Sequence, residues 1–326
     1  MIRQFRSLNP LNFILLIGIA LFLRLGLIFE MPDRLSFDFI EPFTKLLIDI
    51  PLENAFSPLG NIIIALFLTL IQSFIFNRII NTYNILGTPT FLPALLYITA
   101  SSLLTPFLVL SPTLICNFLI IWMIEKFLSL YHKDEIIALM FDLGMIIALG
   151  TLIYFPFIAM LPLLWISLII FKPFNWRDWV AGIIGFSTIF FFLGVFYYWN
   201  NSLDQFYKIW LPLATKFPTN LKINFYNYFV LIPVVIIFAL AIFQLRSSFF
   251  RSFVQVRKFF QLLFCMFLLG LLSFYLKPDF RMYHFLLCVP PASLLMAYYF
   301  LNANKRWFYE SLYLLLIGFI IYFQLF

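Results

Sequence analysis

Charge is what this chain has least of. Only 11% of its 326 residues are Asp, Glu, Lys or Arg and 64% are hydrophobic, whereas a water-soluble domain carries about 25% charged residues. The mean hydropathy is +1.02. No stretch of about 50 residues lacks a long apolar segment, which excludes a water-soluble domain of any size. Histidine is nearly missing, with His132 and His284 alone. There is no paired-histidine metal motif, phosphate loop, dinucleotide fingerprint or CxxC pair. Cys116, Cys265 and Cys288 lie within apolar runs without close spacing. They imply neither a disulfide framework nor a metal site and read as core residues. A net charge of +7 would suit a nucleic-acid partner only as a basic stripe with stacking aromatics on a soluble surface, which this sequence lacks.

What the sequence has in quantity is apolar runs. The start MIRQFRSLNPLNF resembles a signal peptide, but the run from Leu11 to Phe29 is too long for its apolar core and no small-residue cleavage site follows. It reads as a retained first helix. The runs predict an all-α polytopic bundle of about eleven transmembrane helices. They lie near 12–30, 59–80, 90–104, 107–128, 136–152, 154–171, 179–199, 225–245, 259–276, 284–302 and 308–325. With the N-terminus cytoplasmic, thirteen of the 21 basic residues fall on the cytoplasmic side and seven outside, with Arg24 inside the first span. The positive-inside rule supports that orientation and an extracytoplasmic C-terminus. The chain 1–326 therefore reads as a single integral membrane domain, with long outer loops at 30–58 and 200–226. Phe43, Leu46, Leu47 and Ile50 share helical spacing, so Glu41 to Ile50 is expected to lie along the interface as an amphipathic helix.

Three groups of residues carry chemistry against this apolar background. The first outer loop holds Asp33, Asp38 and Glu41. A carboxylate at the membrane surface can act as general base toward an acceptor hydroxyl or amine; equally, acids are simply tolerated there. Lys277, Arg281, Tyr283 and His284 crowd together just before an apolar run broken by Pro290 and Pro291. Cations beside an apolar surface suit the phosphate of a lipid carrier, which arginine can grip as a two-pronged fork. The competing reading is headgroup anchoring by snorkelling side chains. Arg24 and Asp142 are charges within spans, the first toward the outer half and the second toward the inner half, and each is either structural or functional. His132, in YHKDE, reads as a solvated loop residue.

Three pieces, in order, resemble the polytopic glycosyltransferases of the GT-C superfamily, in the branch of the protein O-mannosyltransferases and aminoarabinose transferases. The first is "LFLRLGLIF", "PDRLSFDFIEP" and "FSPLGNIIIALFL", similar to an arginine-bearing first helix, an acidic outer loop and a Pro-containing second helix. The second is "DLGMIIALGTLIYFPFIAMLPLLWISLIIFKPFNWRDW", and the third is Arg281-x-Tyr283 followed by Leu286 and Pro290-Pro291. The resemblance implies a bacterial inner-membrane transferase that moves a sugar from a polyprenyl-phosphate donor to an acceptor at the outer face. Asp38, Asp33 or Glu41 would be catalytic, and Arg281, Lys277, Tyr283, His284 and Arg24 would bind substrate. It demands no metal or cofactor. The alternatives are a non-catalytic subunit or scaffold of an envelope assembly with protein partners, and, third, a transporter.

Overall fold

The computed structural model describes residues 1–29, 57–131, 135–208, 210, 229–248, 253–276 and 281–325, and among them every regular element is helical. In chain order the helices are α1 (Ile2–Phe5), α2 (Leu11–Phe22), α3 (Leu25–Phe29), α4 (Pro58–Thr82), α5 (Leu92–Ala100), α6 (Pro112–Leu130) and α7 (Ile137–Ile153). There follow α8 (Pro162–Phe171), α9 (Trp176–Trp199), α10 (Leu203–Lys208), α11 (Leu231–Ser248), α12 (Val254–Leu272), α13 (Val289–Asn302) and α14 (Arg306–Leu325). A bilayer interior offers peptide groups no water, so a chain this apolar must pair its N–H and C=O groups within helices. Two starts are written in the sequence as Ser-Pro. Ser57 Oγ accepts from the Gly60 amide at 3.1 Å and Ser111 Oγ from the Leu114 amide at 3.3 Å. Pro58 and Pro112 occupy the first helical position, where the missing N–H costs nothing.

Among the described residues, six helices are long and apolar enough to cross a membrane: Pro58–Thr82, Pro112–Leu130, Trp176–Trp199, Val254–Leu276, Met282–Asn302 and Arg306–Gln324. Four further apolar helices are shorter. The expected span 90–104 is helical only from Leu92 to Ala100; an irregular stretch with a 3-10 turn at Thr105–Phe107 follows. The expected span 154–171 begins as a 3-10 turn, Phe155–Met160, before α8. The expected span 284–302 likewise begins as Met282–Cys288 in 3-10 form and then becomes α13.

Proline explains each departure. Pro106, Pro156 and Pro162 each remove an N–H from the ladder. Pro290 and Pro291 cannot donate to Leu286 and Leu287 four residues back, and the Val289 amide reaches the Leu286 carbonyl instead, a 3-10 bond. Freed carbonyls are taken up locally. Ser101 Oγ and Ser102 Oγ both donate to the Ile98 carbonyl at 2.9 Å, and Gln324 Nε2 donates to that of Ser102 at 2.9 Å.

The centre of the bundle is α13, packed by α5, α11 and α12. Within Met282–Asn302, 89% of the apolar window is buried in protein, against 22% for α9, whose outer face meets the surroundings. Between α7 and α9 the backbones meet through glycine. A Cβ on Gly144 would collide with the Gly182 carbonyl and lie 2.8 Å from the Phe186 amide nitrogen, and one on Gly185 would collide with the Phe141 carbonyl. Small residues allow this close approach between membrane helices. At the chain ends, the Met1 ammonium meets Glu310 at 2.8 Å. Arg6 donates to the Phe300 and Ala303 carbonyls at 2.6 and 2.7 Å, which caps the C-terminus of α13.

Candidate functional site

Asp33, Asp38, Glu41 and the expected interfacial helix from Glu41 to Ile50 lie outside the described residues, as does Lys277. The remaining members of the late cluster lie on or just before one 3-10 turn, Met282–Cys288. Arg281 precedes the turn and is exposed, Tyr283 is half-buried and His284 is buried. The Tyr283 carbonyl accepts from Thr113 Oγ1 at 2.8 Å, which fastens the turn to the start of α6.

His284 anchors the same turn from below. Its Nε2 lies 2.9 Å from the Gly270 carbonyl and 3.1 Å from Ser273 Oγ, and its Nδ1 lies 2.8 Å from the Tyr154 hydroxyl. A carbonyl only accepts, so Nε2 carries the ring hydrogen and Nδ1 accepts from Tyr154. Both ring nitrogens are thus engaged inside the protein. Expected at the sequence level among the substrate-binding residues, His284 holds the turn that presents Arg281. Tyr154, Gly270 and Ser273 were missed as its partners; the only signal was a set of polar groups inside otherwise apolar runs.

An apolar cavity of about 340 Å³ opens beside this turn, within the size range of small-molecule sites. Leu104, Phe107, Val234, Phe267, Phe285 and Met296 are among its lining residues, and no polar surface contributes. The walls come from the irregular segment after α5 and from α11, α12 and α13, so the proline-driven breaks make the groove. Phe285 stands four residues after Arg281. Arg281 has extended backbone and lies just outside the 3-10 turn that carries Phe285. Phe274, also on the wall, has its ring 6.2 Å from that of Phe285. The arrangement can take up an alkyl or isoprenoid chain.

Arg24 stands elsewhere, in the break between α2 and α3. It is wholly buried and its Nη2 donates to Thr69 Oγ1 on α4 at 3.0 Å. A pair with Asp142 does not form, because Asp142 binds Lys126 on α6 at 2.7 Å. Among the described residues no three His, Cys, Asp or Glu side chains are grouped to hold a metal ion. In comparisons with known proteins the chain matches no protein family, no curated protein and no solved structure.

Proposed function

We propose that this chain is a bacterial inner-membrane glycosyltransferase of GT-C type, with about eleven spans, a cytoplasmic N-terminus and an extracytoplasmic C-terminus. It takes a sugar from a polyprenyl-phosphate donor and passes it to a lipid, glycan or protein acceptor at the outer face. The observation that carries this reading is the apolar groove beside the turn headed by Arg281. The isoprenoid chain lies in the groove, and Arg281 with Lys277 holds the phosphate. In the transfer step Asp38, Asp33 or Glu41 takes the proton of the acceptor hydroxyl as its oxygen bonds to the anomeric carbon. The bond from that carbon to the phosphate oxygen breaks, and polyprenyl phosphate leaves with the electron pair, its charge met by the cations. The distribution of basic residues supports the orientation.

A scaffold needs no open apolar groove of this kind. The transporter reading draws on the helix breaks at Arg24 and after α5, a feature such proteins use at their binding sites.

Binding of a polyprenyl phosphate to the purified protein in lipid nanodiscs tests the assignment. Arg281→Lys keeps the charge but loses the planar fork, and is expected to weaken binding by about 1.5 to 3 kcal/mol. Tyr283→Phe is expected to weaken it less. Wild-type affinity in Arg281→Lys, or no binding by the unmodified protein, removes the donor site. Cysteines placed at Asn200 and Ser247, in a background lacking the native three, are expected to label from outside at the first position only. Equal labelling would reject the orientation.

A further inference from the structure

Arg24 is a cation in the middle of the bundle. Its partner Thr69 lies eleven residues into α4, which at about 1.5 Å per residue is about 17 Å from the Pro58 end and about 20 Å from the Thr82 end. The side chain is 0% exposed, so its head group does not snorkel out of the bundle. Of its five N–H groups, Nη2 serves Thr69, while Nε and Nη1 have no hydrogen-bond partner among the described residues. The Thr69 hydroxyl in turn donates to the Ala65 carbonyl at 2.7 Å. No carboxylate among the described residues pairs with Arg24: Asp142 serves Lys126 and Glu310 serves the N-terminus.

The surroundings extend this site along one seam. Gln72, one turn on from Thr69, donates to the Leu114 carbonyl at 2.6 Å and accepts from the Tyr97 hydroxyl at 2.9 Å. Asn117, one turn on from Leu114, is wholly buried beside that hydroxyl, and neither of its amide atoms makes a hydrogen bond of sound geometry. Among the described residues the seam therefore joins a permanent positive charge to unmatched polar groups and holds no carboxylate. A guanidinium stays protonated here, and an unpaired charge at this depth is among the most costly groups a fold can hold. A neutral ligand does not offset that cost. An oxyanion does, because two of its oxygens match one edge of the guanidinium fork, which still has hydrogens to give on either side of Nη2.

We infer that Arg24 is the centre of an oxyanion-binding site inside the bundle, taking a phosphate or carboxylate group carried either by a lipid headgroup or by a small solute. The site stands independently of the transfer reading, which rests on Arg281. Thermal unfolding of the purified full-length chain in phosphatidylcholine nanodiscs provides the test. One arm adds inorganic phosphate, with sodium chloride at matched ionic strength as control. A second arm replaces part of the lipid with phosphatidylglycerol. Because an anion that binds only the folded state stabilises it by mass action, Tm is expected to rise and saturate in at least one arm. The free phosphate arm identifies a solute site, and a rise with phosphatidylglycerol alone identifies a headgroup site.

Arg24→Met removes the buried charge and is expected to raise Tm in plain phosphatidylcholine while abolishing the response to either anion. Arg24→Lys keeps the charge without the fork, and its half-saturating anion concentration is expected to rise by about tenfold. The Lys variant decides the matter if the Met variant does not fold. No anion-specific rise in either arm, or a rise unchanged in the variants, overturns the site.

Discussion

His284 shows how far a single residue can be read. Its position beside Arg281 and Tyr283 suggested a ligand-binding group, but its Tyr154 partner lies 130 residues away in the chain. Local sequence carries no trace of a bond made across packed helices. The same holds for Asp142, legible as an expensive charge but not as the partner of Lys126. Arg24 was legible as an unusual residue because its cost is intrinsic to its depth.

The histidine network makes a direct prediction. His284→Ala removes the Nδ1 acceptor of the Tyr154 hydroxyl and one of two side-chain donors to the Gly270 carbonyl, which keeps Ser273 Oγ at 2.9 Å. A buried group that loses its hydrogen bond costs up to about 1 to 3 kcal/mol. Tyr154→Phe orphans only Nδ1 and is expected to lower Tm by roughly half as much. Unfolding in nanodiscs checks the order; a His284→Ala protein as stable as the wild type would mean that the turn is held by other contacts.

At the scale of elements, starts were easier to read than breaks. Ser57-Pro58 and Ser111-Pro112 announce their helices because a hydroxyl cap and a fixed φ act locally. The 3-10 segments at Phe155–Met160 and Met282–Cys288 are as apolar as the helices they interrupt, so composition could not separate them and their prolines were the only cue. The seam between α7 and α9 gives a sharper test. Gly144→Ala puts a methyl group against the Gly182 carbonyl and the backbone of Phe186, and neither can rotate away. Overpacking of this kind costs about 1 to 3 kcal/mol. Gly18→Ala on α2 meets nothing within 4 Å and is expected to be neutral or slightly stabilising, since alanine favours helix. If the two variants unfold at the same temperature, the helices are not in the contact described.

For the whole molecule, composition was enough to indicate a helical membrane bundle, because so apolar a chain cannot otherwise hide its backbone. It was not enough to find the centre. The peripheral α9 has a hydropathy of 2.1, above the 1.5 of the buried Met282–Asn302. Lipid tails are as apolar as leucine, so hydropathy does not distinguish a neighbour of lipid from a neighbour of protein. The groove was equally hidden, since its walls come from segments between Ala100 and Met296 that only the fold assembles.

The central claim is that this groove takes an isoprenoid chain whose phosphate points toward Arg281. The most direct measurement is photo-crosslinking in nanodiscs with a polyprenyl phosphate carrying a diazirine on its chain, followed by mapping of the labelled peptides. The account predicts labelling concentrated on Phe267, Phe285 and Met296, abolished by excess unlabelled polyprenyl phosphate and reduced in Arg281→Lys. Labelling spread over outward-facing positions such as Phe191 and Phe192 of α9, with no competition by the unlabelled compound, would contradict it.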